Sequence, residues 1–305
     1  MITKPLVIVC DGMQNKLFDQ LKSFSNLIVA DKAQHSREEI LSFGAKASAL
    51  VIRSATKADR ALMDSLPNLK LIIRAGEGMD NIDIPYARSR GITATNTPGA
   101  NGNAAAELAF SMIMGLLRHI PFVQNTMQQG KWDKKSFMGN ELTHKKVGIL
   151  GFGKIGQTLA KRMQGFEVDI HYYDPMVNLG APYTKCATIE DVLQVSDIVS
   201  LHLPLIPETK NLLNFTMISK MKKSALLVNC ARGGVIVEND LIKALNEGVI
   251  AGAGLDVFET EPLAENSPLR HCPKLLLTPH LGASTQEAEW RVGEMVLKIL
   301  KEASF

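Results

Sequence analysis

The sequence predicts an α/β protein of two doubly wound parallel-sheet domains with a cleft between them. Three observations carry that prediction. Short apolar runs of strand length alternate with amphipathic stretches of helix length, the rhythm of β-α-β units covered on both faces. The rhythm comes in two series, separated by a chain break at Pro98-Gly99 and a long helical pattern. The 305 residues, 46% hydrophobic and 21% charged, are enough for two ordinary cores.

In the first series the expected strands are residues 6–10, 27–30, 49–53, 69–74 and 92–95. The first of these is too short for the apolar core of a signal peptide and reads as a buried strand. The helical pattern that follows Pro98-Gly99 runs to about Arg118. Its most apolar part, residues 104–117, carries Glu107 and is too short to span a bilayer, so a buried helix is expected. The second series places strands at 146–150, 168–173, 198–203, 225–229, 250–255 and 275–278. The amphipathic tail, 285–300, is expected to return to the first domain. The domains are then 1–98 with 283–305, and 99–282, with hinges near 96–101 and 282–285.

Composition narrows the function. A net charge of +3, without a basic stripe, gives no reason to expect nucleic acid. Cys10, Cys186, Cys230 and Cys272 form no C-x-x-C pair and no zinc-finger spacing. A reduced, cytoplasmic protein without a metal site or a membrane span is the expectation.

The stretch "KKVGILGFGKIGQTLAKRM" holds Gly151, Gly153 and Gly156 in G-x-G-x-x-G spacing, after a strand and before a helix. In that setting Gly151 permits the tight turn. Gly153 lets backbone approach a pyrophosphate, and Gly156 lets the helix pack on the strand. The helix start, with Lys154 and Ile155, presents free N–H groups to phosphate. Asp174 ends the next strand, 174 − 156 = 18 residues on, where a carboxylate bonds the ribose hydroxyls. An acid there repels a 2′-phosphate, so NAD is expected rather than NADP.

Three later segments deliver polar groups from strand ends: "NCARGG" with Arg232, "DVFETEP" with Asp256 and Glu261, and "TPHLGAS" with His280. In open α/β sheets ligands bind outside the carboxyl ends of strands, so all three should face the glycine loop's edge. With GFGKIG, and in this order, these motifs resemble the D-isomer-specific 2-hydroxyacid dehydrogenases over nearly the whole chain, from about Leu6 to Leu300. The resemblance implies a flavodoxin-like substrate domain and a Rossmann NAD-binding domain. It implies Arg232, Glu261 and His280 as the catalytic set, and places Asp256 near the nicotinamide carboxamide. It extends the cofactor contacts to Leu203, Cys230, Ala231, Arg232, His280, Gly282 and Ala283. The chemistry suits these residue types. Imidazole can exchange a proton near neutral pH, a carboxylate can orient it, and a guanidinium can hold a substrate carboxylate.

For the substrate, "LIIRAGEGMDNID" is similar to the family's substrate-carboxylate loop, with Gly76 and Gly78 turning backbone N–H groups toward an anion. Arg53 and Arg74 end strands aimed at the cleft, and Lys134 lies in "GKWDKKSFMG". Phosphate needs several charge-assisted donors, so these cations favour a phosphorylated 2-hydroxy acid. These stretches and "NTPGANGN" look most like family members that oxidise D-3-phosphoglycerate, the first step of serine synthesis. By that resemblance Arg53, Arg74 and Asn101 contact substrate, as do Arg232 and His280. Lys134 then reaches the neighbouring subunit's site in a homodimer or homotetramer. Two departures stand out. Many such members carry a C-terminal domain that senses serine, whereas this chain ends at Phe305, which predicts a short form. Glu77 is an acid inside the substrate loop, which would repel a doubly anionic substrate unless it points away or pairs with a cation. The competing readings are a hydroxypyruvate or glyoxylate reductase, which does not need the extra cations, and a dinucleotide-sensing protein related to corepressors of the same fold.

Overall fold

The structure, a computed structural model, describes residues 4–305. The chain divides into two compact units, Met1–Asn101 with Ala283–Phe305, and Gly102–Gly282.

In the first unit β1 (Leu6–Val9), β2 (Ile28–Val29), β3 (Ala47–Ile52), β4 (Leu71–Arg74) and β5 (Thr93–Asn96) form one sheet. Its order is β2-β1-β3-β4-β5 and every pairing is parallel. This is the flavodoxin-like order, and its switch point lies between β1 and β3. Side chains alternate across the sheet with period two. Ile8, Leu50, Ile52 and Ile72 enter one core cluster, and Val7, Val9, Ala49, Val51, Leu71 and Ile73 enter another. Both faces are therefore dry, which is why these strands read as unbroken apolar runs.

Short helices cover the faces, and their starts are written in the sequence. Ser36 and Glu39 make a reciprocal capping box before Arg37–Ser42. Asp59 and Asp83 cap the helices that follow them. The terminal helix Gln286–Glu302 is capped by Thr285 and buries Val296, Leu297 and Leu300 against the β1, β3 and β4 side chains of this unit. A Cβ on its Gly293 would collide with Leu17, so the helix lies close to Asn15–Lys22.

The second unit holds β6 (Lys146–Leu150), β7 (Asp169–Tyr173), β8 (Thr184–Lys185), β9 (Ile198–Leu201), β10 (Leu226–Asn229), β11 (Gly252–Leu255) and β12 (Leu275–Leu277). Their order is β12-β11-β10-β9-β6-β7-β8, again all parallel. This is the Rossmann order with one further strand, and its switch point lies between β6 and β9. Leu150, Val199, Leu201 and Leu227 face one cluster, while Val147, Ile149, Ile198 and Val228 face the other.

The helix Gly102–Leu117 packs Ala106, Ala109, Met112 and Ile113 into that second cluster. No single helix among the described residues is long and apolar enough to cross a membrane, although this helix and Ile120–Gln128 together form an apolar pair bent by 61°. The sequence reading missed β8. That edge strand is two residues long and both are exposed, so it carries no apolar signal. The expected strand 198–203 is shorter, because His202 and Leu203 already belong to the loop at the switch point.

Candidate active site

The glycine loop follows β6 at the switch point, and its three glycines meet three different constraints. Gly151 has φ +88°, and a Cβ there would press on the His202 carbonyl. A Cβ on Gly156 would collide with the Gly151 carbonyl, so the helix Lys154–Met163 can approach β6 only without one. A Cβ on Gly153 would meet nothing within 4 Å. The space above Gly153 is open, beside the start of a helix whose first N–H groups have no side-chain cap. The loop therefore fits the pyrophosphate of a dinucleotide. Lys154 is exposed and Ile155 half-buried at its rim.

Asp174 sits at the end of β7 and ties this loop down. Its Oδ2 accepts from the Phe152 N–H (2.7 Å), and its Oδ1 accepts from the N–H groups of Met176 (2.8 Å) and Val177 (2.9 Å). A carboxylate has about four acceptor sites, so roughly one is left for a ribose hydroxyl. Leu203 is buried in the facing loop after β9. Just before it, His202 bonds Ser200 Oγ through Nε2 at 2.9 Å, and desolvation depresses its pKa to about 4. Its ring is neutral and structural.

After β10, the nearly inaccessible Asn229 shapes the loop. Its Oδ1 accepts from the Ala231 N–H (3.0 Å) and its Nδ2 donates to the Arg232 carbonyl (2.9 Å). Cys230 is buried with Sγ 3.4 Å from Met112 Sδ, and burial raises its pKa, so it is an inert thiol. Arg232 is half-buried and its Nη1 donates to the Ala231 carbonyl (2.7 Å). Gly233 lies so close to the Phe258 carbonyl that no Cβ fits, which holds this loop against the one after β11.

Asp256, wholly buried, binds the last loop to the sheet. Its Oδ1 accepts from Thr278 Oγ1 (2.6 Å) and the Leu281 N–H (2.7 Å), and its Oδ2 accepts from the Gly282 N–H (2.8 Å). Its backbone carbonyl accepts from the His280 N–H (2.9 Å). These bonds hold His280 at φ +55°, a left-handed conformation that histidine adopts only sparingly. Desolvation nevertheless raises the Asp256 pKa above its usual range.

The strained backbone aims His280 Nδ1 at Glu261 Oε2, 2.6 Å away, while Glu261 Oε1 accepts from the Phe258 N–H (3.1 Å). The hydrogen bond to Glu261 raises the His280 pKa above the ordinary imidazole value, against a desolvation that opposes it. Desolvation pushes Glu261 upward most, yet the bonds from His280 and Phe258 and the charges of His280 and Arg232 outweigh it, and its pKa is lowered. The charge of Arg232 thus bears on both members of the pair. Arg232, Glu261 and His280, picked out by sequence, are neighbours at the carboxyl edge of the seven-stranded sheet.

The remaining expected residues lie elsewhere. Lys134, in the second unit, is exposed in the irregular stretch after Ile120–Gln128. In the first unit Arg53 directly follows β3 beside the switch point, and its Nη1 donates to Glu289 Oε1 at 3.2 Å. Arg74 ends β4 with its guanidinium over Gly76, whose φ of +150° and missing Cβ make the room. Gly76 is buried and Gly78 half-buried. Glu77 is turned back on its own fold, with Oε2 accepting from the Gly99 N–H (2.6 Å). It needs no cation, because a backbone N–H supplies the donor. Asn101 is buried, with its Oδ1 lacking a hydrogen bond, and Ala283 is half-buried. Asn229, Thr278 and Glu289 were not singled out from the sequence. The polar Asn229 closing the apolar strand "LLVN" was a usable signal, whereas the Glu289 contact spans most of the chain and had none.

The chain matches the family described as D-isomer specific 2-hydroxyacid dehydrogenase, NAD binding domain, over residues 110–282. The D-3-phosphoglycerate dehydrogenase of Bacillus subtilis (strain 168) is 40% identical over 297 residues, 95% of this chain and 55% of that protein. The hydroxypyruvate reductase of Thermotoga maritima is 41% identical over 269 residues, 87% of this chain and 88% of that protein. The crystal structure of a glyoxylate reductase from Paecilomyes thermophila matches with a TM-score of 0.89 at 29% identity, covering 99% of this chain and 96% of that one. The chain spans little more than half the length of the D-3-phosphoglycerate dehydrogenases it matches.

Proposed function

The chain belongs to the D-isomer specific 2-hydroxyacid dehydrogenase family, and from that premise we propose that it interconverts D-3-phosphoglycerate and 3-phosphohydroxypyruvate with NAD. The observation that carries the chemistry is the 2.6 Å His280–Glu261 pair beside Arg232. With its pyrophosphate held at the glycine loop, NAD would supply the nicotinamide that accepts the hydride from the substrate carbon. Everything else falls to side chains. In the neutral ring Nδ1–H donates to Glu261, so Nε2 carries the free lone pair. Nε2 takes the hydroxyl proton as the C–H electron pair departs and the O–H pair becomes the second bond of the carbonyl. The imidazolium so formed is stabilised by Glu261. In the reverse direction the same nitrogen returns the proton. The Arg232 guanidinium holds the substrate carboxylate and polarises the reacting oxygen. Asp174 at the ribose selects NAD over NADP by repelling a 2′-phosphate.

Arg53 and Arg74, with Lys134 of a neighbouring copy, take the phosphorylated end, Gly76 and Gly78 turn backbone N–H groups toward the substrate carboxylate, Asn101 contacts the substrate, and Glu77 shapes the loop through Gly99. A second copy of the chain completes the molecule. Ile120 (59% exposed), Trp132 (83%) and Met138 (85%) are exposed apolar side chains before and after Lys134 in sequence, which suits self-association. Four free thiols suit a reducing cytoplasm.

The second reading is reduction of hydroxypyruvate or glyoxylate. It is favoured by the likeness to the Thermotoga reductase, which this chain covers almost fully, and by the carboxylate already on Arg53. The deciding experiment is NADH oxidation with 3-phosphohydroxypyruvate, hydroxypyruvate and glyoxylate at equal concentration. A strong preference for the phosphorylated acid is expected. Equal or better rates with the small acids would replace the first reading by the second. NADH binding without turnover of any of them would point instead to a dinucleotide sensor.

A further inference from the structure

Arg53 is held with more care than a surface cation needs. Asp11 accepts from the Arg53 N–H (2.5 Å), the Thr56 N–H (3.0 Å) and Thr56 Oγ1 (2.6 Å), and Asn81 Nδ2 donates to the Arg53 carbonyl (2.6 Å). These bonds fix the end of β3 at the β1/β3 switch point, where a sheet of this order binds ligands. The side chain lines a pocket of about 250 Å³ with Gly12, Gln14, Gly76 and Glu289. In that pocket Glu289 Oε1 takes the Arg53 donor, while Oε2 accepts weakly from Gln14 Nε2 at 3.5 Å. Glu289 reaches the pocket from the first turn of the terminal helix.

We infer that Glu289 is a specificity-determining residue, whose carboxylate offsets the charge of Arg53 and so reduces, without abolishing, the preference for a phosphorylated substrate at this pocket. The inference rests on the reading that Arg53 meets the far end of the substrate. The ion pair is 36% and 38% exposed, so it is worth little in itself and exchanges readily. What it changes is the charge an incoming group meets. Arg53 and Glu289 together present no net charge. A dianionic phosphate gains Arg53 but comes to rest beside a like-charged carboxylate. A hydroxymethyl group, or the hydrogen of glyoxylate, brings no charge and leaves the pair intact. Glu289→Gln keeps the size and an oxygen to accept from Arg53, with its amide N–H₂ toward Gln14, yet leaves the pocket with one net positive charge.

The test is steady-state kinetics of the wild-type protein, Glu289→Gln and the double variant Arg53→Gln/Glu289→Gln, with NADH and 3-phosphohydroxypyruvate or hydroxypyruvate. Glu289→Gln should raise the kcat/KM ratio of phosphorylated to unphosphorylated acid about tenfold, as expected for removing one like charge at contact range. The gain should lie in KM, and the double variant should lose it. An unchanged ratio, a gain confined to kcat, or a gain that survives loss of Arg53 overturns the inference. Calorimetric binding of D-3-phosphoglycerate and D-glycerate supplies a readout without turnover. Tighter binding of the phosphorylated acid alone supports the inference, and an equal change for both acids overturns it. Absence of turnover in the wild type would count against the proposed reaction, while calorimetry would still decide the role of Glu289.

Discussion

Glu261→Gln isolates what the carboxylate does for His280. The substitution keeps the shape and an oxygen that can accept from Nδ1–H, while its amide N–H₂ takes the place of the oxygen that accepts from the Phe258 N–H. At His280 it removes only the charge that stabilises the imidazolium. A hydrogen bond to a charged group is worth about 1.5–3 kcal/mol. The side chains are 42% and 34% exposed, so solvent screening places the loss near the lower end. About 1.5 kcal/mol corresponds to roughly a tenfold fall in kcat/KM. The pH profile is the sharper readout. Oxidation needs the neutral ring, so its rate rises as pH passes the His280 pKa, which Glu261 holds above the usual value. Without the charge that limb should move to lower pH while the plateau drops. In the reductive direction, which needs the protonated ring, the fall with rising pH should begin at lower pH. Both would be read by NADH absorbance between pH 5 and 10. A tenfold loss with both limbs unmoved would mean that Glu261 does not act on His280 titration, and the mechanism would be wrong.

The other predictions test the frame around that pair. Gly153→Ala should fold with an unchanged melting temperature, because its Cβ meets nothing, yet weaken NADH binding at least tenfold by fluorescence titration. Gly156→Ala, whose Cβ strikes the Gly151 carbonyl, should cost about 1–3 kcal/mol in denaturant unfolding. Asp256→Asn turns an amide N–H₂ toward buried donors and should cost about 2–3 kcal/mol in the same assay; no loss would mean that the loop is not braced there. His280→Asn should abolish turnover but keep NADH binding, since asparagine tolerates the left-handed backbone. It also tests linkage. The raised His280 pKa gives stability that is complete below about pH 6.5 and lost as pH rises through the folded value. The lowered Glu261 pKa gives stability that is complete above about pH 4.3 and lost as pH falls through its folded value. The stability gap between wild type and His280→Asn should therefore be widest near pH 5–6 and narrow toward pH 9.

Much of the fold was legible because its signals are local. Period-two alternation within unbroken apolar runs marks strands dry on both faces, as Val7, Ile8 and Val9 illustrate by entering different clusters. The glycine spacing was readable because Gly151 and Gly156 answer to atoms of their own β-α turn or of the adjoining strand's loop. Arg232, Glu261 and His280 were legible as strand-end polar groups, since parallel topology brings strand ends to one edge. The weakly signalled β8 was not, because an exposed edge strand has no pattern to show.

What only the tertiary structure decided is how polar groups pair across the chain. The sequence placed a carboxylate in the loop at Glu77 and left its partner open; folding brings the Gly99 N–H to it. It showed an arginine at Arg53, and the terminal helix arrives with Glu289 from 236 residues away. It offered Asp256 as a cofactor contact, and burial makes it the brace that holds His280 in a left-handed turn. Hydrophobic periodicity is a property of neighbours along the chain, so sequence alone can state it. A hydrogen bond or an ion pair is decided within a few tenths of an ångström between residues far apart, and only the closed fold sets that distance.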